Sequence, residues 1–114
     1  MKDCLFCKIV NKDIPAEIIY EDKSVMAFKD INPQAPVHVL VIPKIHVAGM
    51  NDVTETNSEV IKEIFETIPK IVQQLNISET GYRLVSNSGE DGMQTVQHFH
   101  FHILGGRSLK WPPG

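Results

Sequence analysis

Residues 97–106, QHFHFHILGG, set histidine and an apolar residue at alternate positions from His98 to Ile103. Successive side chains of a β-strand point to opposite faces, so strand geometry puts His98, His100 and His102 in a row on one face. Phe99, Phe101 and Ile103 then line the other. Neighbours in such a row stand roughly 7 Å apart at Cα, too far for all three rings to serve one tetrahedral ion, although two neighbours can share one. Three of the chain's five histidines fall in this row, which argues against a merely solvated strand face.

The surrounding chain supplies a sheet and a helix. GYRLVSN (81–87) reads as another strand, joined to the histidine strand by the turn-rich SGEDGMQT (88–95). EIIYE (17–21) and SVMAFKD (24–30) alternate as two strands about a turn at Asp22 and Lys23. The loop NPQAP (32–36) leads into VHVLVIP (37–43), a short β-branched run suited to a buried strand that Pro43 ends. One long helix is expected over 58–75, with Val60, Ile61, Ile64, Phe65, Ile68, Ile71, Val72 and Leu75 at i, i+3, i+4 spacing. Thr56 or Ser58 is its expected N-cap, and Pro69 should kink it or remove one of its bonds. LFCKIVNKD (5–13) suits a short helix before the Ile14-Pro15 break. Five strands and one long helix with hairpin-length early connections indicate an antiparallel α+β domain, and no repeat or linker divides residues 1–114.

Composition narrows the partners. At 114 residues with 42% hydrophobic content the chain can bury one core, and its net charge of -3 offers no basic field for nucleic acid. No signal-like opening is visible, and no apolar run approaches the roughly 18 residues needed to span a bilayer, so a cytoplasmic protein without membrane partners is expected. In a reducing compartment the C-x-x-C pair Cys4 and Cys7 suggests metal binding or redox chemistry more than a disulfide; a pair of free thiols is the plain alternative.

Zinc takes four N or S ligands, so a C-x-x-C half-site needs two more. His38, His46 and His98 are the candidates. His46 and His98 are the better pair, since both sit at strand ends within reach of a loop-borne C-x-x-C. His100 and His102 then remain beside His38, and a neutral imidazole can act as nucleophile or proton carrier without a metal. His100, central in the row, would need one ring nitrogen fixed so that the other presents its lone pair. A catalytic metal centre in the row is the rival, but no Asp or Glu lies within it to complete such a site. The turn NSGEDGMQT, with Asn87, Ser88 and Thr95, can aim amides at an anion, although most Gly-rich turns are only turns. Asp30 is a further polar candidate.

HFHFHIL fits the His-φ-His-φ-His-φ-φ signature, with φ apolar, of the histidine triad superfamily. Together with CLFCKIVNKDIPAEIIYED, MAFKDINPQAPVHVLVIPKIH, GYRLVSNSGEDG and the closing WPPG, the chain resembles the Hint-type branch of histidine triad nucleotide-binding proteins over nearly its whole length. The resemblance implies a HIT-like five-stranded antiparallel sheet that pairs as a homodimer into ten strands. It implies a hydrolase of purine nucleoside phosphoramidates and aminoacyl adenylates, conjugates of AMP or GMP, working without a catalytic metal. His100 would be the nucleophile and form a nucleotidyl-histidine intermediate. His102 would contact the phosphate and His38 hold the histidine network. Asn87 and Thr95 would touch phosphate oxygens, Asp30 the ribose hydroxyls, and Phe6, Ile9, Phe28 and Leu40 the purine. Cys4, Cys7, His46 and His98 would hold a structural zinc. Trp111 in the tail would cover the site of a partner subunit or pack in the dimer. A nucleotide-binding module with incidental hydrolysis is the alternative. Two positions depart from the pattern: Thr95 stands where serine is common, and Met93 where glycine is common, which restricts backbone approach to the phosphate.

Overall fold

The computed structural model describes residues 3–114. In chain order it contains α1 (Leu5–Val10), β1 (Ile18–Glu21), β2 (Val25–Lys29), β3 (Val37–Pro43), a 3-10 turn (Met50–Asp52), α2 (Ser58–Gln74), β4 (Tyr82–Val85) and β5 (Phe101–Gly105). The strands form one antiparallel sheet in the order β1-β2-β3-β5-β4. This is the α+β, five-stranded, two-helix architecture expected from the sequence.

Strand alternation divides the sheet into two faces with different fates. Val25, Ala27, Val39, Val41, Phe101 and Ile103 join Ile64, Ile68, Ile71 and Val72 of α2 in the larger core. Met26, Phe28, Leu40 and Ile42 project the other way and pack with Phe6 and Ile9 of α1. β3 is buried from His38 to Pro43 because both its faces are covered, which explains its nearly continuous apolar run. The register sets Leu40 opposite His102, so His102 and His38 stand on the α1 face. A helix of six residues leaves room there for a site.

Helix α2 continues past Pro69, which has no N–H to give to the Phe65 carbonyl. Burial of its apolar stripe outweighs that lost bond. Its N-cap is Asn57, not Thr56 or Ser58, and no side chain caps it. The Asn57 amide is engaged elsewhere, accepting from Thr54 N at 2.8 Å and donating to Asp52 O at 3.0 Å. Phe65, expected in the buried stripe, is 54% exposed, with its ring 5.3 Å from that of Phe101.

The histidine strand is shorter than the alternation suggested. β5 begins at Phe101, so His102 alone of the triad lies in it. Upstream, the groups a ladder would need are committed: Phe99 N donates to Val47 O at 2.6 Å, the His98 ring takes the Pro43 carbonyl at 2.8 Å, and Ser86 Oγ donates to His100 O at 2.9 Å. Nor do the histidines lie on a solvated face: His98 and His100 are 0% and 5% exposed.

Candidate active site and metal centre

His38, His98 and His100 each have one ring nitrogen assigned by a backbone group, and that assignment determines what the other nitrogen can do. A carbonyl only accepts, so the 2.8 Å contact to Pro43 O places the proton of neutral His98 on Nε2. Its Nδ1 lone pair then faces Cys4 Sγ at 3.2 Å and Cys7 Sγ at 3.6 Å. His46 Nδ1 stands 3.4 Å from Cys7 Sγ. For zinc with Zn–S near 2.3 Å and Zn–N near 2.05 Å, tetrahedral geometry separates S and N ligands by roughly 3.5 Å, which these contacts match. The four donor atoms lie within 4.8 Å of one another. Burial and the adjacent Cys4 push the Cys7 thiol up, and burial is the main reason His98 is held down at about 4. A bound cation would favour the thiolates that burial opposes. Cys4 also accepts from Cys7 N at 3.3 Å as the N-cap of α1, so the helix and the donor set are built from the same residues.

His100 is wired for another task. Its Nδ1–H donates to His98 O at 2.6 Å, leaving the Nε2 lone pair without a partner among the described residues. Burial lowers its proton affinity, opposed by that carbonyl and by the charge of Asp30. The neutral, nucleophilic form is therefore favoured. The Phe6 ring packs edge-on against it with centroids 5.1 Å apart.

A third group joins Asp30, His38 and His102. Gln34 N donates to His38 Nδ1 at 3.0 Å. His38 then carries its proton on Nε2, which faces His102 Nδ1 at 2.9 Å and Asp30 Oδ2 at 3.5 Å. His102 accepts at Nδ1 and carries its own proton on Nε2. Burial first, then the neighbouring His100 and His38, hold His102 at about 4, while burial lowers His38 against the pull of Asp30. These three donor atoms also lie close enough to surround an ion. However, His38 Nε2 has no lone pair to give while Gln34 donates to its other nitrogen, and 2.9 Å is a hydrogen-bond distance rather than the roughly 3.3 Å between two nitrogens on one zinc. The cluster is a hydrogen-bonded relay.

His100 and His102 line a cavity of about 250 Å³ together with Asp30, Thr95, Phe6, Ile9, Phe28 and Leu40. Leu5, Ile14, Pro15, Ala16, Lys29, Ile31 and Val96 complete the wall, and the sequence offered no periodicity by which loop residues such as Ile14 and Ile31 could be placed there. A larger depression of about 500 Å³ opens beside Cys4, His46, Thr95 and Gln97, but neither His100 nor His102 lines it. Asn87 is half-buried and does not line the His100 cavity, and Trp111 is 80% exposed and lines no part of it. Gln34 N, Pro43 O and Ser86 Oγ orient the histidine segment and carry no sequence signal: two are backbone atoms that any residue could offer, and a lone serine hydroxyl has no pattern to mark it.

A family model described as HIT domain matches residues 11–109. An uncharacterized HIT-like protein of Synechococcus elongatus is 48% identical over 99% of this chain and 98% of its own length. A 14 kDa zinc-binding protein of Zea mays is 45% identical over 96% of this chain and 87% of its own. Among solved structures, a HIT family hydrolase from Legionella pneumophila Philadelphia 1 superposes with a TM-score of 0.95 at 51% identity, covering 98% of this chain and 100% of that one. With the matched segment spanning most of its length, the chain belongs to the HIT domain family.

Proposed function

We propose that the protein is a purine nucleoside phosphoramidase, hydrolysing phosphoramidates of AMP or GMP, and aminoacyl adenylates, through a covalent intermediate on His100. The observation that carries this reading is the His100 ring: Nδ1–H is held by the His98 carbonyl at 2.6 Å, and Nε2 is free at the wall of a cavity with apolar and polar sides. Nε2 attacks the α-phosphorus as the bond to the leaving group breaks, the electron pair going to the leaving group, which departs with a proton taken from solvent. Water then attacks the same phosphorus, breaks the P–Nε2 bond to release the nucleoside monophosphate, and returns a proton to solvent. His102 Nε2–H donates to a phosphate oxygen, and His38 keeps that proton in place. Thr95, in the cavity wall, acts as a further donor as charge develops. Asp30 holds the ribose hydroxyls, and Phe6, Ile9, Phe28 and Leu40 take the purine ring. The names of the Legionella hydrolase and of a HIT family hydrolase from Clostridium thermocellum, 45% identical with a TM-score of 0.93, support hydrolysis.

Cys4, Cys7, His46 and His98 hold a structural zinc, a reading that the zinc-binding relative of Zea mays supports. The ion would tie the start of α1 to the segment carrying His100 and stabilise both thiolates. A homodimer with a ten-stranded sheet is proposed through β4. Among the described residues that strand has β5 as its only sheet neighbour, and Tyr82, Leu84 and the helix residue Phe65, whose ring meets Phe101 of β5, are exposed apolar surface. Trp111 would then meet the partner's site or pack against the partner.

Incubating wild type and His100→Ala with an adenosine phosphoramidate tests the reading. Release of AMP by wild type, lost in the variant, is expected; equally slow release by both would mean that His100 is not the nucleophile and would favour a nucleotide-binding module.

A further inference from the structure

We propose that Arg107, outside the cavity, is a positioning residue for His102: through the residue 34 backbone it fixes which nitrogen of His38 carries the proton. The Arg107 guanidinium bridges two carbonyls, Nη2 donating to Gln34 O at 3.0 Å and Nη1 to Ser108 O at 3.1 Å. Gln34 is held again by its own side chain, Nε2 donating to Asn32 O at 3.0 Å. The same residue's N–H donates to His38 Nδ1 at 3.0 Å, and His38 Nε2 meets His102 Nδ1 at 2.9 Å. A continuous set of contacts therefore runs from an exposed arginine after β5 to the ring that faces substrate.

The sequence builds this contact deliberately on both sides. Gly106 adopts φ +86°, and a Cβ there would sit 2.9 Å from Pro36 Cβ. Glycine is thus needed for the segment after β5 to press against the loop, which brings Arg107 to Gln34. On the loop side, Pro33 and Pro36 flank Gln34 and restrict the backbone that presents its N–H and C=O.

The consequence lies in proton placement. With Gln34 N donating, His38 is protonated at Nε2, His102 accepts at Nδ1, and His102 Nε2–H is a donor. If the loop drifts, His38 can carry its proton on Nδ1 and accept at Nε2. His102 then donates from Nδ1, and its Nε2 turns a lone pair toward the cavity. A lone pair facing phosphate oxygens repels what the proton would bind.

The rate part of this inference rests on the phosphoramidase reading; the proton part does not. Long-range ¹H–¹⁵N spectra of zinc-loaded wild type, Arg107→Ala and Arg107→Lys report the tautomer of His38 and His102 without substrate, and kcat and KM are read with an adenosine phosphoramidate. Wild type is expected to show His38 protonated at Nε2. Arg107→Ala is expected to show a mixed tautomer and to lose about tenfold in kcat with KM little changed, the scale usual for residues that orient a reacting group. Arg107→Lys keeps the charge but has one nitrogen for two carbonyls, so it should shift the same way by less; it is the variant read if Arg107→Ala unfolds. An unchanged His38 tautomer in a folded variant overturns the assignment whether or not the rate falls, and so does a shifted tautomer with unchanged kcat. A wild type that hydrolyses nothing would count against the phosphoramidase reading alone.

Discussion

The peptide carbonyl of His98 accepts the Nδ1–H of His100 at 2.6 Å, while the ring of His98 turns its own Nδ1 to the two cysteines. One residue thus supplies a metal ligand from its side chain and orients the proposed nucleophile from its backbone. The zinc centre and the proposed nucleophile are separate in chemistry but are joined through the one residue His98.

Removing the metal is therefore expected to weaken the fold first and activity second. Chelation or Cys4→Ser should free the start of α1 and lower Tm by roughly 10 °C or more, since 1 kcal/mol corresponds to about 4–8 °C in a domain near this size. Elemental analysis should find one zinc per chain beforehand. An unchanged Tm after verified metal loss would contradict a structural role.

Acid should destabilise the protein through His102. Its folded value of about 4 lies below the ordinary 6.5, with burial the main cause. Between those values the unfolded chain binds the proton more readily, so this contribution to stability is complete above about pH 6.5 and falls as pH drops toward 4. Urea midpoints across this range should converge for wild type and His102→Asn as the pH is lowered. Parallel curves would show that His102 is not a source of the slope.

Truncating Ile64→Ala, fully buried between α2 and the sheet, should cost about 2–5 kcal/mol. Because Ile64 belongs to the core on the far side of the sheet from the cavity, kcat at a permissive temperature should stay close to wild type. Chemical denaturation and kinetics measured together check both halves of this expectation.

Met93 sits at φ +61° and is 71% exposed. A left-handed backbone costs a non-glycine residue about 1–2 kcal/mol, and glycine loses about 0.5–1 kcal/mol in chain entropy, so Met93→Gly should be stabilising by up to about 1.5 kcal/mol. If the turn before Thr95 approaches phosphate, the variant should also raise kcat/KM. A lower kcat/KM would show that the methionine side chain itself assists.

Much of this architecture was legible in periodicity. The α2 stripe, the buried run of β3 and the Asp22–Lys23 turn all follow local rules, and Asp22 Oδ1 indeed accepts from Ser24 N and Val25 N at 2.8 Å each. The C-x-x-C with His46 and His98 could be assembled because those residue types are few. The true start of β5 was not legible, because it depends on Val47 O, Pro43 O and Ser86 Oγ, which are distant in sequence. The tautomers were hidden for a different reason: alternation says which way a ring points, but not which backbone group meets which nitrogen, even where that group is as close in sequence as His98 O is to His100 or Gln34 N to His38.

The central claim is that His100 attacks while His98 serves the metal. Acid-free rapid quenching of zinc-loaded protein with an adenosine phosphoramidate, followed by peptide mass spectrometry under mildly basic conditions, tests it most directly. The account predicts a transient nucleotidyl adduct on His100 in wild type and none in His100→Ala. Turnover with no adduct at any time, in a protein shown to retain one added to it chemically, or an adduct on a different residue, would contradict it.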